Sequence, residues 1–361
     1  MSAEKYRKIA DTLADEIRRG VYAAAGKLPG ECAVARKFGI ARETARRSIA
    51  ELLKDRLVER RRGVGTFLTS RGRRKTGLIG LLIPDASSAA IFREFAMEIV
   101  RLGRANGYRV VIGEFRARTH EAAVLETRRL AREFAVKRVE GVVFRPFIDE
   151  RMGRTNREVV RIFGNAEIPV VLIDSDIVPS PSRSECDLVA VDNVSAGRRV
   201  AEHLLERGRT RIAFMMSGLS IRSNVNWRNR LFGVAGELAL GGVETAVKIL
   251  DFRPDDRAAL ARLCRSRHRP DAIVCGNDET AVVLAGTLRE IGKRIPEDVA
   301  IVGFDDAVCA AACVPPLTTV SQPSKSIAKA ALRMLVARIA NPKLEVKETY
   351  LPAPLVVRQS T

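Results

Sequence analysis

Arginine side chains at helical spacing make one region of this sequence a candidate for contact with phosphates or bases. Arg42 and Arg46 lie four residues apart, so a helix places both on one face. An arginine there can donate two hydrogen bonds to guanine or hold a phosphate, and the hydroxyl of Thr44 can donate to a phosphate. Arg47 is open to two interpretations, because it can contact DNA or pair with Glu43 four residues earlier. These side chains predict a nucleic-acid contact.

A second set of polar side chains follows apolar, strand-like runs in the later part of the chain. Asp174, Asn277 and Asp305 each come just after such a run. Because the carboxyl ends of parallel strands meet at one edge of a sheet, we expect these groups to lie together in a cleft. Carboxylates accept hydrogen bonds from hydroxyl groups and arginines donate to them, which suits a polyol such as a sugar. Asp278 is better explained as the N-cap of the following helix, and Asp174 can equally shape a turn.

The first seventy residues predict a helix-turn-helix followed by a β-hairpin. A turn at Gly39 separates two short helices, and the second of them can enter a major groove. Strand-like residues that join at Gly63 predict a basic hairpin, or wing. Arg62 belongs to this hairpin, where it can contact DNA or simply end a solvated strand. The predicted elements are helices up to about Arg19, over 31–38 and over 42–54, and strands over 57–62 and 64–68.

From Leu78 onward, strand-like runs alternate with helical segments. This alternation is typical of α/β folds with parallel sheets. It continues to about residue 173, restarts at about residue 188 and reaches residue 302. The restart predicts two doubly wound lobes.

The charge is concentrated at the amino end. The chain has 62 Lys and Arg against 43 Asp and Glu, which gives a net charge of +19. Residues 1–75 alone hold 20 of the Lys and Arg residues but only 9 of the Asp and Glu residues. This balance predicts a polyanionic partner, with nucleic acid as the first candidate. The polar, basic stretch 69–76 predicts a linker between domains. With 361 residues and 46% hydrophobic content, the sequence excludes a disordered chain and fits two or three globular units.

The sequence offers little for other kinds of chemistry. Its 6 cysteines lack CxxC spacing and its 3 histidines lie in unrelated segments, so we predict neither a metal site nor a disulfide framework. No phosphate-binding loop is present, and no cofactor is expected. Acidic residues interrupt the first helix, which argues against an export signal, and the apolar runs are too short to span a membrane. We therefore expect a cytoplasmic protein.

Three motifs in the first part resemble the GntR-type winged helix. They are Leu28-Pro29-Gly30-Glu31, Arg42-Glu43-Thr44-Ala45-Arg46 and Gly63-Val64-Gly65-Thr66-Phe67. The resemblance implies a role for Gly65 and Thr66 at the DNA backbone or the minor groove. Two positions depart from the family pattern: Cys32 stands where the family often has a DNA-contacting arginine, and Ala41 replaces a usual Ser or Thr.

Residues 77–361 resemble the lactose- and galactose-repressor family and, through it, the periplasmic sugar-binding proteins. The matching stretches include residues 168–174, 276–281 and 295–306. By motif, the resemblance makes Arg230, before Leu231-Phe232-Gly233, the arginine that binds the effector; Arg228 is the alternative. It assigns sugar-hydroxyl roles to Asp174, Asn277 and Asp305, and it places Phe252 where an aromatic ring packs on the sugar. Phe92, Trp227 and Phe304 are either walls of the cleft or core.

The two resemblances together predict the domain organisation. We expect a DNA-binding domain over residues 1–70, a linker over 71–76 and a two-lobed, periplasmic-binding-protein-like effector domain over 77–361. Lobe one is predicted to comprise about 77–192 and 322–342, and lobe two about 193–321 and 345–361. The expected crossovers between lobes are near Asp192, near 321–322 and within 342–351.

These features predict a sequence-specific DNA-binding transcriptional regulator. We expect a homodimeric repressor controlled by a small effector, a sugar, and similar to the arabinose-responsive chimeras of the two families. Two alternatives are a sugar-binding protein without a regulatory role and a regulator that responds to a purine. A third is an enzyme that uses Asp305 and Asp306 on a glycosidic bond, but no acid partner is evident, so we predict no enzymatic activity.

Overall fold

The computed structural model describes most of the chain as two compact units, residues 1–77 and 78–361. The predicted linker falls largely on residues 71–75, which lie outside the described residues. None of the helices in the described part combines the length and apolar character that a bilayer-spanning segment requires. The described residues are 2–18, 21–22, 26–69, 76–84, 90–115, 117, 119–179, 181–216, 224–243 and 247–361.

The first unit is a winged helix-turn-helix. Both helices of the predicted motif have the expected bounds, and the first helix ends at Arg18, with Arg19 outside the described residues. The hairpin is confirmed, but a short strand at Lys27–Leu28 joins it, so the sheet order is β1-β3-β2. In chain order the elements are α1 (Ser2–Arg18), β1 (Lys27–Leu28), α2 (Glu31–Phe38), α3 (Arg42–Lys54), β2 (Val58–Arg61) and β3 (Gly65–Leu68).

Apolar spacing and one glycine position α3 against the other helices. Ala45, Ile49 and Leu52 form a buried stripe of α3 that packs with Leu13 and Ile17 of α1. Gly39 ends α2 with φ +61° and allows the sharp turn into α3. The amino end of α3 therefore projects from a fixed core.

The second unit contains the elements of two α/β lobes. It continues, in chain order, with β4 (Leu78–Ile83), α4 (Ala90–Ala105), β5 (Arg109–Glu114), α5 (His120–Val136), β6 (Gly141–Phe144), α6 (Gly153–Asn165), β7 (Val170–Ile173), β8 (Asp187–Val191), α7 (Asn193–Glu206), β9 (Ile212–Met215), α8 (Val225–Leu240), β10 (Lys248–Leu250), α9 (Arg257–Arg265), β11 (Ala272–Cys275), α10 (Asp278–Glu290), β12 (Ala300–Asp305), α11 (Val308–Ala312), β13 (Thr318–Ser321), α12 (Ser324–Ala340), β14 (Glu348–Leu351) and β15 (Leu355–Val356).

These strands build two separate sheets, as the restart of the pattern predicted. Lobe one surrounds the sheet β14-β8-β7-β6-β4-β5, in which all neighbours are parallel. Lobe two surrounds β10-β9-β11-β12-β13-β15, parallel except for the antiparallel pair β13 and β15. Helices cover both faces of each sheet, and each face has its own apolar core cluster. The strand order places the carboxyl ends of neighbouring parallel strands at one edge of each sheet.

The third crossover lies later in the chain than expected. Strand β14 pairs in parallel with β8, so residues 348–351 belong to lobe one. Strand β15 pairs with β13 in lobe two, which places the crossover at residues 352–354. The predicted start of the last lobe-two segment at residue 345 is therefore wrong. The reason is that β14 completes the edge of the first sheet before the chain leaves it.

Two glycines allow α7 and α8 to pack at very short distance in lobe two. A Cβ atom on Gly197 would lie 2.1 Å from the carbonyl oxygen of Arg230, and one on Gly233 would lie 2.0 Å from that of Val194. Any larger residue would force the helix backbones apart. This contact fixes the position of Arg230 on α8.

Candidate functional site

The amino end of α3 presents exposed arginines. The side chains of Arg42, Arg46 and Arg47 are 72%, 60% and 57% exposed. Both alternatives for Arg47 stay open, because its Nε lies 3.6 Å from Oε1 of Glu43 while the side chain remains accessible. Arg46 Nη2 also donates to Glu43, at 2.9 Å. Surface pairs of this kind are weak, so they leave the arginines available to a polyanion.

Glu31 connects the recognition helix to the wing, a role that the sequence analysis did not assign. Its Oε2 accepts a 3.3 Å hydrogen bond from Nε of Arg42, and its Oε1 accepts one of 2.5 Å from Nη2 of Arg60. The hydrogen bond from Arg60 is the main reason why the pKa of Glu31 is lowered. Glu31 thereby aligns one arginine of α3 with one of β2. The sequence signal for this role of Glu31 was the motif Leu28-Pro29-Gly30-Glu31, which resembles the GntR-type pattern.

The wing residues differ in what they can offer DNA. Arg62 is exposed in the hairpin turn, and Gly65 has φ +136°, which residues with a side chain seldom adopt. Lys27 packs over Gly65, and its Nζ donates to the carbonyl of Val64 at 2.7 Å. Thr66 is only 8% exposed, so its side chain belongs to the domain interior. The backbone of the hairpin and Arg62 form the accessible surface.

In the second unit, Arg230 lies at the centre of a buried polar cluster. It is 3% exposed, its Nε donates to Oδ1 of Asn193 at 2.8 Å, and its Nη1 donates to the carbonyl of Gly276 at 2.5 Å. The guanidinium carbon lies 4.4 Å from the centre of the Phe304 ring. Burial lowers the pKa of Arg230, while the carboxylate of Asp305 acts in the opposite direction. Of the two candidate arginines, Arg230 is the one held in this buried polar cluster, whereas Arg228 lines an open groove between the lobes.

Asp305 is paired with Arg230 and with a residue from a crossover strand. Its Oδ1 lies 3.8 Å from Nη2 of Arg230 and accepts a 2.7 Å hydrogen bond from Nε2 of Gln322. Burial raises the pKa of Asp305 to about 6, against the lowering effects of Arg230 and Gln322. The residue has φ 113°, a strained conformation for a residue with a side chain. Such strain often accompanies a binding site, and this carboxylate retains lone pairs for a hydroxyl donor.

Asp174 receives hydrogen bonds from both lobes. Nε of Arg145 in lobe one donates to its Oδ2 at 3.2 Å, and Nδ2 of Asn226 in lobe two donates to its Oδ1 at 2.8 Å. The ring of Phe92 covers the guanidinium of Arg145 at 4.0 Å. Asp174 also has positive φ, 73°. The residue therefore does more than shape a turn, since it joins the two walls of the cleft.

The choice of Asp278 as the N-cap of α10 is wrong. The neighbouring Asn277 is the cap, because its Oδ1 accepts from the backbone N–H of Thr280 at 3.0 Å. Asp278 is instead 1% exposed and accepts from Oγ1 of Thr319 at 2.6 Å and from the N–H of Ala307 at 2.8 Å. Burial raises its pKa to about 7. The Oδ1 of Asn277 is engaged at the start of its own helix.

The structure does not bring Phe252 into the polar cluster. Its side chain packs half-buried against one core cluster of lobe two. It lines neither of the two cavities described below, and the same holds for Arg230, Asn277 and Asp305. Phe304 and Phe92 supply the aromatic surface at Arg230 and Arg145. Trp227 is 8% exposed, and its ring occupies the space that a Cβ on Gly276 would need. Trp227 thus belongs mainly to the core.

Sequence reasoning missed Arg145, Asn226 and Gln322. Signals for all three were present, because Arg145 directly follows a buried strand and Gln322 stands at an expected crossover. Asn226 is four residues before Arg230 and shares its face of α8. Within the described residues, no group of three or more His, Cys, Asp or Glu could hold a metal ion.

Two cavities adjoin Asp174. One, of about 20 Å³, is lined by Phe92, Gln322 and Ser324 among others and has room for a single water. The other, which we call the lateral groove, is an open space of about 1090 Å³ between the lobes. Lobe one contributes Ser175 and Ile177 to it. Its lobe-two wall includes Val225, Asn226, Arg228, Asn229 and Phe232.

The fold and these contacts define a class of protein: a DNA-binding regulator with a basic winged helix and a separate two-lobed domain that has a polar interlobe cleft. Comparisons with known proteins identify the same two kinds of domain. Residues 5–68 match the family model of bacterial regulatory proteins of the gntR family, and residues 201–361 match that of the periplasmic binding protein-like domain.

Individual relatives narrow the class further. The arabinose metabolism transcriptional repressor of Geobacillus stearothermophilus is 28% identical over 370 residues, 99% of this chain and 97% of that one. The ribose operon repressor of Halalkalibacterium halodurans is 30% identical over 290 residues, 79% of this chain and 80% of that one. A solved complex of the transcriptional regulator CelR with cellobiose has a TM-score of 0.66 at 25% identity, over 89% of this chain and 90% of that one. The chain belongs to the family of bacterial transcriptional regulators that includes this ribose operon repressor, and it carries a GntR-type DNA-binding domain.

Proposed function

We propose that the protein is a transcriptional repressor whose affinity for operator DNA is controlled by a sugar bound between its two lobes. The observation that carries this proposal is the cluster of Arg230, Asp305 and Gln322, in which a charged donor and a strained carboxylate share one buried cleft. Alternating donors and acceptors at short distance match the vicinal hydroxyls of a sugar. A planar purine would use fewer of these groups. Operator DNA implies action in the cytoplasm.

In this proposal, DNA recognition belongs to the first unit. Arg42 and Arg46 read bases or phosphates, Thr44 and Arg47 contact the backbone, and the wing contributes Arg62 with the backbone at Gly65 and Thr66. The exposed arginines and the basic balance of residues 1–75 support these roles. Effector recognition belongs to Asp174, Arg230, Asn277 and Asp305, whereas Phe252 packs against a core cluster of lobe two.

The active species is proposed to be a homodimer, because two winged helices can then engage the two halves of an operator. Exposed apolar side chains on neighbouring elements of lobe two support a self-association surface: Val283 on α10 is 44% exposed, and Val308 and Val314 at α11 are 80% and 63% exposed. Sedimentation velocity of wild type and of Val308→Asp tests this directly. A dimer that the substitution dissociates is expected, and a monomeric wild type contradicts it.

The test of the effector site combines a ligand screen with DNA binding. Melting temperatures of wild type and Asp305→Ala are measured with pentoses, hexoses, disaccharides, sugar phosphates and purines, because a ligand of the native state raises the melting point. DNA affinity is then measured on sequences selected by the protein from a random pool. We expect a sugar that stabilises wild type only and alters its DNA affinity. A variant that loses DNA binding as well, or a hit among the purines alone, contradicts the proposal.

A further inference from the structure

One end of lobe two is strongly basic. The loops that precede β9, β11 and β12, residues 207–211, 265–271 and 292–299, together hold 8 Lys and Arg against 3 Asp and Glu. These strands are parallel neighbours, and their first residues lie side by side in register. The loops therefore meet at the amino ends of the strands, at the edge opposite to Gly276 and Asp305. We call this surface the basic pole.

Hydrogen bonds join the three loops of the basic pole into one surface. Nε of Arg211 donates to the carbonyl of Arg269 at 3.0 Å, which connects the first loop to the second. Nη2 of Arg209 donates to the carbonyl of Pro296 at 2.8 Å, which connects the first loop to the third. The fold thus holds like charges close together, and their repulsion costs free energy until a polyanion neutralises it.

The carboxylates of the basic pole leave most of its positive charge uncompensated. Two of the three are already paired, since Asp271 lies 3.3 Å from Nη2 of Arg211 and Asp298 lies 3.2 Å from Nη2 of Arg294. Three exposed arginines make no side-chain hydrogen bond or ion pair with any of the described residues: Arg265, Arg267 and Arg269. Their guanidinium groups are available to an external anion.

The composition of the basic pole favours DNA over an acidic protein as its partner. Protein interfaces depend on apolar and aromatic anchor residues. None of the large apolar side chains that are exposed in the described part of the chain lies in these loops. Contact with phosphates needs no such anchor, because exposed arginines bind the DNA backbone through charge and hydrogen bonds. DNA is also the polyanion that the first unit of the protein binds.

We propose that the basic pole of lobe two is a second, sequence-independent DNA-binding surface, in which Arg265, Arg267 and Arg269 contact phosphates. The inference goes beyond the proposed function, because it depends on neither the sugar nor the operator sequence. A molecule whose winged helix occupies an operator can then hold a second segment of duplex DNA. Because this second contact is made to phosphates alone, it weakens steeply as salt is added.

The test measures a second duplex on the full chain. The protein is saturated with an unlabelled operator duplex selected from a random pool, and a fluorescent duplex of unrelated sequence is then titrated and followed by anisotropy. The variant Arg265→Ala/Arg267→Ala/Arg269→Ala removes the unpaired charges of the basic pole. The matched control replaces with alanine three arginines of α5 and α6 in lobe one that are also exposed and unpaired among the described residues: Arg132, Arg154 and Arg161.

We expect wild type and control to bind the second duplex with a Kd of about 1–100 μM, the range of sequence-independent DNA binding. The basic-pole variant should bind it at least about tenfold more weakly, with a salt slope smaller by up to about 3, because each lost phosphate contact lowers the slope by about one. Circular dichroism of each variant verifies that the fold is retained.

Three outcomes overturn the inference and leave the proposed function in place. The first is an operator-saturated wild type that binds no second duplex. The second is an equal loss in the basic-pole variant and the control, which indicates general electrostatics. The third is a labelled polyglutamate that binds more tightly than the duplex and is lost in the basic-pole variant, which assigns the surface to an acidic protein.

Failure of the proposed function is distinguishable from failure of this inference. If no operator can be selected, the same fluorescent duplex is titrated into Arg42→Ala/Arg46→Ala, in which the contacts of the first unit are weakened. Binding that then depends on the three arginines of the basic pole supports the second surface without the first. Binding that is unaffected by their removal overturns it.

Discussion

The side-chain amide of Asn226 donates a 2.8 Å hydrogen bond to Oδ1 of Asp174, and this bond spans the two lobes. Asp174 follows β7 of lobe one, whereas Asn226 lies in the first turn of α8 in lobe two. Rotation of the lobes away from each other must break it. The bond therefore contributes to the balance between open and closed arrangements, which is the balance that an effector shifts.

Asn226→Ala is expected to weaken binding of the effector sugar about fivefold, because the closed arrangement loses a hydrogen bond worth about 1 kcal/mol. Asp174 keeps Arg145 as a partner, so the fold is retained. Calorimetry with the sugar found by the thermal screen measures the change. Asn106→Ala, at the surface end of α4, is the control. Unchanged affinity in Asn226→Ala would show that the bridge does not limit closure.

Arg42→Ala and Arg46→Ala are each expected to weaken operator binding by about 1–3 kcal/mol, because each removes a charged donor from the exposed end of α3. A phosphate contact would also lower the salt slope by about one. Fluorescence anisotropy over a range of salt concentrations measures both quantities. Lys54→Ala removes the same charge at the other end of α3, about 18 Å away, and should have little effect. Equal losses at Lys54 would indicate general electrostatics instead of recognition.

Gly197→Ala should destabilise the effector domain by about 3 kcal/mol, because its Cβ would meet the backbone of α8 at Arg230. Gly236→Ala, on the open face of α8, is the matched control and is expected to be neutral or to stabilise the helix by up to about 1 kcal/mol. Urea unfolding followed by the fluorescence of Trp227, the 1 tryptophan of the chain, reports on this domain. Similar behaviour of the two variants would refute the close packing of α7 and α8.

The buried carboxyl of Asp278 predicts a pH dependence of stability. Burial raises its pKa from 3.8 to about 7, so the folded state favours the protonated form. The stabilisation is complete below pH 3.8 and is lost as the pH rises through about 7. Unfolding free energies of wild type relative to Asp278→Asn should therefore fall by up to about 4 kcal/mol between pH 4 and pH 8. A difference that does not vary with pH would contradict this assignment.

Much of the fold was predictable where local signals agreed. The bounds of α2 and α3 follow from apolar spacing with Gly39 between them, and the alternation after Leu78 predicts both sheets. Strand β1 was missed, because two residues are too few to show a period and only the pairing with β3 defines them.

The cleft was less predictable because tertiary contacts decide the roles of adjacent polar residues. Asn277 and Asp278 are equally good caps in sequence, but Thr319 and Ala307, distant along the chain, engage the aspartate. Phe252 illustrates the same limit, since no local pattern reveals whether an aromatic ring after a strand faces a cleft or a core.

The late third crossover has a consequence for synthesis of the protein. Lobe one needs α12 and β14, so its sheet is complete only after residue 351 has been made, although its first strand begins at residue 78. Lobe two needs β15 at residues 355–356. While the ribosome elongates the chain, both sheets therefore expose an unpaired edge, and the winged helix is the part that can fold first. The effector domain is completed in one late step, after most of the polypeptide has left the exit tunnel.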